Sequence, residues 1–362
     1  MSALAHLTIQ ASQFPENVRR DLLESLRTRQ INHKFLYDSY RQTQKWLALH
    51  QAFSPARNDP DCAAVYDCAF HAAATRSQAP SLHLLGLGCG GGQKDARLLQ
   101  LLAGSVGRLS YTPVDVSVAM VLVARRAALM VVPEHNSGGF VCDLASPEFD
   151  AGILASRLAE ESASLVTFFG MLPNFEPQVI LPRLAAMLCP GDLLLLSANL
   201  APGDDYAAGM QRVLPQYDNA LTRDWLLTFL LDIGVDPNDG ELGFTVEEVP
   251  AAPPRDPSES RTNAANDISP NPPGTRPASG GLRRVAVHFH FLRPRRIQIE
   301  EHPFDFSAGD SLRLFFSYRH TPALLVSLLA QHGLQVLDQW ITKSQEEGVF
   351  LCQSIAPGPK GH

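Results

Sequence analysis

Apolar residues recur at helical spacing from Val18 to Leu49, and a break at Asn32 and His33 predicts two helices joined by a hinge. A further helix is predicted over Ala63–Ala74. The pattern then changes. Ser81 to Gly86 is a short apolar run ending in glycines, the signature of a buried strand entering a tight turn. Leu109–Val116, Gly139–Cys142, Ser164–Phe169 and Asp192–Ser197 are runs of the same kind, separated by segments of helical composition such as Asp95–Leu102 and Val118–Met130. Strands alternating with helices predict βαβ units, right-handed crossovers and a doubly wound α/β fold around a parallel sheet.

After Leu200 the alternation stops. Asp204–Leu231 reads as helical, and Pro250 to Gly281 is so rich in Pro, Ser, Asn and Gly that a flexible surface loop is expected there. Arg284–Leu292 and Arg296–Glu300 alternate with a period of two, as a hairpin does, and Ser311–Tyr318 supplies a third strand. These form an antiparallel second lobe. Pro322–His332, stopped by Gly333, predicts a helix, and Gln335–Ile341 and Gly348–Ser354 predict two strands that return to the first sheet. The expected organisation is a helical N-terminal part of the second lobe over 1–60, a nucleotide-binding core over 61–201, the rest of the second lobe over 202–320, and a segment completing the core over 321–362.

Composition narrows the function. The chain has 362 residues, 45% hydrophobic and 19% charged, with a formal net charge of -7, so it lacks the basic excess that gives nucleic-acid affinity. No uncharged apolar run reaches spanning length, and Met1 to Pro15 has no apolar signal region, so neither a membrane nor nucleic acid is an expected partner and a cytoplasmic monomer is expected. The six cysteines are scattered without CxxC spacing and read as reduced core residues. His288 and His290 lie two apart on one strand face with no third ligand nearby, so no metal site is expected. Arg293, Arg295 and Arg296 read as a solvated turn, and no GxSxG elbow is present.

The strongest local signal is Leu87-Gly88-Cys89-Gly90-Gly91-Gly92-Gln93-Lys94-Asp95, which follows the first core strand and opens a helix. Such a turn lets a ligand approach the backbone without Cβ clashes and presents amides at a helix N-terminus. A Walker A reading fails, because Lys94 is followed by Asp95 and the glycine spacing is wrong; Gly86 to Gly91 does satisfy GxGxxG, so a nicotinamide or flavin enzyme stays open. Asp115 ends the second strand, where a carboxylate accepts from ribose hydroxyls or caps the next helix. Asp143 follows the third strand and is a candidate for an adenine amino group.

The chain resembles the histidine-specific N-α-methyltransferases of ergothioneine biosynthesis, together with relatives that methylate the amine of a prenylated tryptophan. The resemblance is carried, in order, by Lys34-Phe35-Leu36-Tyr37-Asp38, Leu87 to Asp95, Pro113-Val114-Asp115-Val116, Phe168 to Pro177, Leu188-Cys189-Pro190-Gly191-Asp192, Tyr217-Asp218-Asn219, Ser317-Tyr318-Arg319 and Gly333-Leu334. It implies a Rossmann-like class I methyltransferase sheet with a smaller α+β substrate-binding lobe, S-adenosylmethionine as cofactor, and methyl transfer to the α-amino group of an amino acid or related small amine. It also implies that Gly88, Gly90 and Lys94 hold the methionine portion of the cofactor, with Asp115 on the ribose. Asn174 and Tyr217 match the residues that hold the amino acid's amino and carboxylate groups, and Tyr37, Phe315 and Ser317 match the side-chain pocket.

One departure stands out. Where the histidine enzymes resemble one another in having a glutamate two residues before the serine, this chain has Phe315 before Ser317. The family's tyrosine pair before a proline aligns with Ala52-Phe53-Ser54-Pro55. Both changes make the pocket less polar and favour an apolar or aromatic side chain over imidazole. A nicotinamide oxidoreductase and a non-catalytic family member that binds cofactor are the competing readings.

Overall fold

The computed structural model describes residues 5–77, 79–154, 163–249 and 281–355. Its main sheet contains β1 (Thr8–Ile9), β2 (Ser81–Leu87), β3 (Arg108–Asp115), β4 (Phe140–Val141), β5 (Ser164–Phe168) and β6 (Leu193–Asn199). The three strands β7 (Gly240–Val249), β8 (Leu282–Phe291) and β11 (Ser311–Arg319) form a second sheet, β9 (Arg295–Ile299) and β10 (His302–Phe306) a small ribbon, and β12 (Leu334–Ile341) and β13 (Glu347–Ser354) rejoin the main sheet.

The eight-stranded sheet has the order β1-β4-β3-β2-β5-β6-β13-β12, parallel throughout except for β13, which runs antiparallel to both neighbours. That reversal follows from the short connection 342–346, which joins β12 to β13 as a hairpin and leaves no room for a crossover. The central strands are buried on both faces, as the near-continuous apolar runs Leu82–Leu87 and Leu193–Leu196 require. One face packs on Ile180, Leu184, Leu325 and Leu329, the other on Tyr66, Phe70, Leu98 and Leu102. The edge strand β1 was not expected; the N-terminal segment adds Thr8–Ile9 beside Phe140–Val141 before its helices begin.

The helical expectations fall on Pro15–Thr28 and Tyr40–Phe53, with a turn over His33–Leu36 as the hinge. The Asp204–Leu231 region is two helices, Tyr206–Tyr217 and Ala220–Asp232, divided at Asp218-Asn219 because Asn219 caps the second by accepting from Thr222 N. Trp225 on that helix donates its indole N–H to Leu36 O at 2.7 Å and so ties the N-terminal hinge to the second lobe.

The second sheet departs from the expected hairpin. Both edges of β8 are taken, by β7 and β11, so β9 pairs with β10 instead. The strand β7 was hidden by its two glycines and three glutamates; its charges sit opposite arginines, Glu247 with Arg284 at 2.9 Å and Glu248 with Arg283 at 2.8 Å. A bulge between Arg313 and Phe315 resets the side-chain parity of β11. Leu312, Phe315, Ser317 and Arg319 thereby share one face, opposite Phe289, Val287, Val285 and Arg283. The loop expected over 250–281 lies, for 250–280, outside the described residues.

Among the described residues no helix is long and apolar enough to cross a membrane, and no group of side chains there is arranged to hold a metal ion. His288 faces Glu247 at 3.5 Å, Arg293 and Arg295 pair with Asp239, and Arg296 pairs with Asp305. All six cysteines are free thiols.

Candidate active site

A cleft of about 310 Å³ opens at the C-terminal ends of β2 to β6, where open α/β sheets place their ligands. The glycine loop is its floor. Gly88 and Gly90 have φ of 58° and 50°. A Cβ at Gly88 would run into Met171, and one at Gly90 would stand 2.8 Å from the Trp46 ring. Both glycines are therefore required by conformation and by close approach.

Asp115 organises the loop. Its Oδ2 accepts from Gly90 N at 3.1 Å and its Oδ1 from Ser117 N at 3.0 Å, while burial pushes its carboxyl up to about 6 against the pull of those amides. Each oxygen keeps a further lone pair for a ligand hydroxyl. The sign of the pH effect follows: only the carboxylate accepts from two hydroxyls, so affinity for S-adenosylhomocysteine is expected to be full well above pH 6 and to fall as pH drops through about 6. Titrations by calorimetry between pH 5 and 8 check this, and Asp115→Asn is expected to flatten the profile.

Asp143 lies one strand over and is 2% exposed. Its Oδ1 accepts from Ala145 N at 2.8 Å, but its buried Oδ2 has no hydrogen-bond partner, the nearest cation being Lys34 Nζ at 3.7 Å. An orphaned buried acceptor at the cleft wall suits a ligand amino group. His33 stands edge-on to Phe175, ring centroids 4.6 Å apart, and burial drives its pKa down while Asp143 opposes the shift. Below the loop, Asp95 accepts from Tyr111 OH at 2.7 Å and Thr167 Oγ1 at 2.8 Å. Lys94 donates to Tyr66 OH at 2.6 Å and lies 3.8 Å from Glu347 Oε1.

Of the residues expected to meet substrate, Tyr37 and Asn174 line the cleft. The Asn174 amide donates from Nδ2 to Phe316 O at 2.9 Å, which leaves Oδ1 as an acceptor. Burial, with the charge of Asp115, holds the Tyr37 phenol well above its ordinary range and keeps it neutral. Tyr217, Phe315 and Ser317 are brought together beside the cleft rather than on its wall. Tyr217 OH donates to Ser317 Oγ at 2.9 Å, Asn199 Nδ2 donates to the same oxygen at 3.4 Å, and Arg319 Nε donates to Tyr217 OH at 3.2 Å. With both lone pairs of Ser317 filled, its own O–H is the donor left to offer.

Aromatic rings connect the two groups: Trp46 to Tyr37 at 6.0 Å, Tyr37 to Trp225 at 5.5 Å, Trp225 to Phe315 at 5.6 Å, and Phe315 to Tyr217 at 6.4 Å. Sequence reasoning missed Trp46, Trp225, Asn199, Tyr66 and Glu347. Trp225 and Tyr66 carry the local signal of a large amphipathic ring on a helix. Glu347 carries none, since its partner Tyr66 is 281 positions away.

A glycine-floored cleft with one carboxylate at the loop and an orphaned carboxylate beside it fits an adenosyl group. A family profile described as histidine-specific, S-adenosylmethionine-dependent methyltransferase matches residues 18–220 and 280–354. No curated protein sequence matches the chain. Solved structures with some likeness include the CcbJ methyltransferase from Streptomyces caelestis, at 13% identity over 80% of this chain and 95% of that one with a TM-score of 0.38. Magnesium protoporphyrin IX methyltransferase from Synechocystis PCC 6803, with bound S-adenosylhomocysteine, is 14% identical over 94% and 100% with a TM-score of 0.36. The 1,6-didemethyltoxoflavin N1-methyltransferase from Burkholderia thailandensis is 11% identical over 88% and 89% with a TM-score of 0.39. The nicotinamide and non-catalytic readings give way to the family match, and the chain belongs to the S-adenosylmethionine-dependent methyltransferase family described as histidine-specific.

Proposed function

We propose that this enzyme methylates the α-amino group of an amino acid with an apolar or aromatic side chain, and that histidine is a poor acceptor. The observation that carries this is the run of aromatic rings that starts at Trp46 and Tyr37 on the cleft wall and continues behind it through Trp225 and Phe315 to Tyr217. Such a run of rings stabilises a flat apolar group and, at Phe315, offers an imidazole N–H no carboxylate. When bound, S-adenosylmethionine supplies a methyl group on a cationic sulfonium.

The chain's own residues then have three tasks. Gly88, Gly90, Lys94, Asp115 and Asp143 hold the cofactor, which fixes the floor of the cleft. Asn174 and Tyr217 orient the amine, Asn174 through its free Oδ1; alignment for an in-line displacement is worth up to about 7–11 kcal/mol in favourable systems. The amine must be unprotonated at attack, and a low-dielectric pocket beside a cation moves it that way. Tyr37, Phe315 and Ser317 face the side chain.

Arg319 supports an amino acid over a simple amine. It is 7% exposed, donates to Leu200 O at 2.9 Å and to Tyr217 OH, and among the described residues has no carboxylate within 4.0 Å. A buried guanidinium without a counter-charge gives this corner a positive potential that suits a substrate carboxylate. Tryptophan and phenylalanine are expected to exceed tryptamine and phenethylamine in kcat/KM by about 10- to 100-fold, each lost charge-assisted contact being worth about 1.5–3 kcal/mol. Equal turnover of acid and amine would remove the amino-acid reading.

A further inference from the structure

The strand order sets out the cleft from end to end. Asp143 follows β4, Asp115 ends β3, the glycine loop follows β2, Met171 lies past β5, and Asn199 ends β6. Glu347 begins β13 directly opposite Asn199 in the register and lines the cleft with it. A nucleoside placed over Asp143 and Asp115 therefore extends its tail across the glycine loop toward Glu347 and Lys94.

These two residues carry opposite charges at that end. Lys94 Nζ and Glu347 Oε1 are 3.8 Å apart, with side chains 23% and 11% exposed, and they meet mainly through Tyr66, which accepts from Lys94 and donates to Glu347. Lys94 also lies over the Tyr66 and Phe169 rings at 4.3 and 5.7 Å, and Cys62 Sγ donates to Glu347 Oε2 at 3.5 Å. The pair is thus held in place by groups that leave donors on the lysine and lone pairs on the carboxylate unused. An ion pair this buried contributes little net stability for its desolvation cost. A lone carboxylate arriving at Lys94 would be repelled by Glu347, and a lone ammonium arriving at Glu347 would be repelled by Lys94.

We propose that Glu347 receives the α-ammonium group at the methionine end of the cofactor, beside the Lys94 that the family resemblance already assigns to that end. The proposal concerns the cofactor and does not depend on which acceptor the enzyme methylates.

Calorimetry with S-adenosylhomocysteine, its analogue lacking the α-amino group, and 5′-methylthioadenosine tests it without turnover. The wild-type protein is expected to bind S-adenosylhomocysteine about 10- to 100-fold more tightly than the deaminated analogue. In Glu347→Gln that preference is expected to collapse to about twofold, while affinity for 5′-methylthioadenosine, which lacks both charged groups, stays within about twofold of wild type. Equal wild-type binding of the two homocysteine ligands, or an undiminished preference in Glu347→Gln, would overturn the proposal. Should Glu347→Gln lose 5′-methylthioadenosine as well, the fold has been damaged; Glu347→Asp, which keeps the charge on a shorter arm, is then expected to show an intermediate preference, and a full one would overturn it.

Discussion

Asp115→Ala is expected to weaken S-adenosylhomocysteine binding by about 10²- to 10⁴-fold, with little change in the overall fold. Two losses combine. The ribose hydroxyls lose a shared charged acceptor, and each such hydrogen bond is worth about 1.5–3 kcal/mol. The glycine loop also loses the acceptor that holds Gly90 N, so the turn that must pass beneath the ligand at Gly88 and Gly90 is no longer fixed. The native fold, by contrast, is partly relieved, since burial already pushes this carboxyl up to about 6. Calorimetric titration checks the affinity and a melting curve checks the fold. An unchanged Kd would place the ribose elsewhere.

Phe315→Glu is expected to shift the ratio of kcat/KM for histidine over phenylalanine by about 10- to 100-fold toward histidine, the range in which one pocket contact discriminates. The bulge in β11 puts position 315 on the same face as Ser317, so a carboxylate there lies beside the uncommitted hydroxyl proton of Ser317. Its neighbours Trp225 and Tyr217 are apolar at that point, and an unpaired buried carboxylate costs stability. A ratio is therefore the right readout, because a general loss of stability lowers both numbers together. An unmoved ratio would show that the side chain of the acceptor does not reach Phe315.

Much of the fold was legible because it is written in local patterns. The short apolar runs gave β2, β3, β5 and β6, and the final pair of runs gave β12 and β13, though not the reversal of β13. The second lobe was less legible for physical reasons. In β7 the period of two is broken by Gly240 and Gly243 and overlaid by Glu247 and Glu248, whose arginine partners come from β8 across the unseen pairing. In β11 the bulge shifts parity mid-strand, so Leu312 and Phe315 share a face that simple alternation would divide.

The site divides in the same way. Gly88, Gly90, Lys94 and Asp115 announce themselves through spacing after a strand. Glu347, Asn199 and Arg319 acquire meaning only when strands far apart in sequence are laid side by side, as Asn199 and Glu347 are. The run of rings Trp46, Tyr37, Trp225 and Phe315 draws on three separate segments and no motif records it.

The most direct measurement is a mass-spectrometric screen of the twenty amino acids with S-adenosylmethionine and the purified protein, with fragmentation to locate the added methyl group. One or more methyl groups are expected on the α-nitrogen of an aromatic or aliphatic amino acid, with much slower turnover of histidine. Efficient methylation of histidine, or a methyl group found on oxygen, carbon or a side-chain nitrogen, would contradict that expectation.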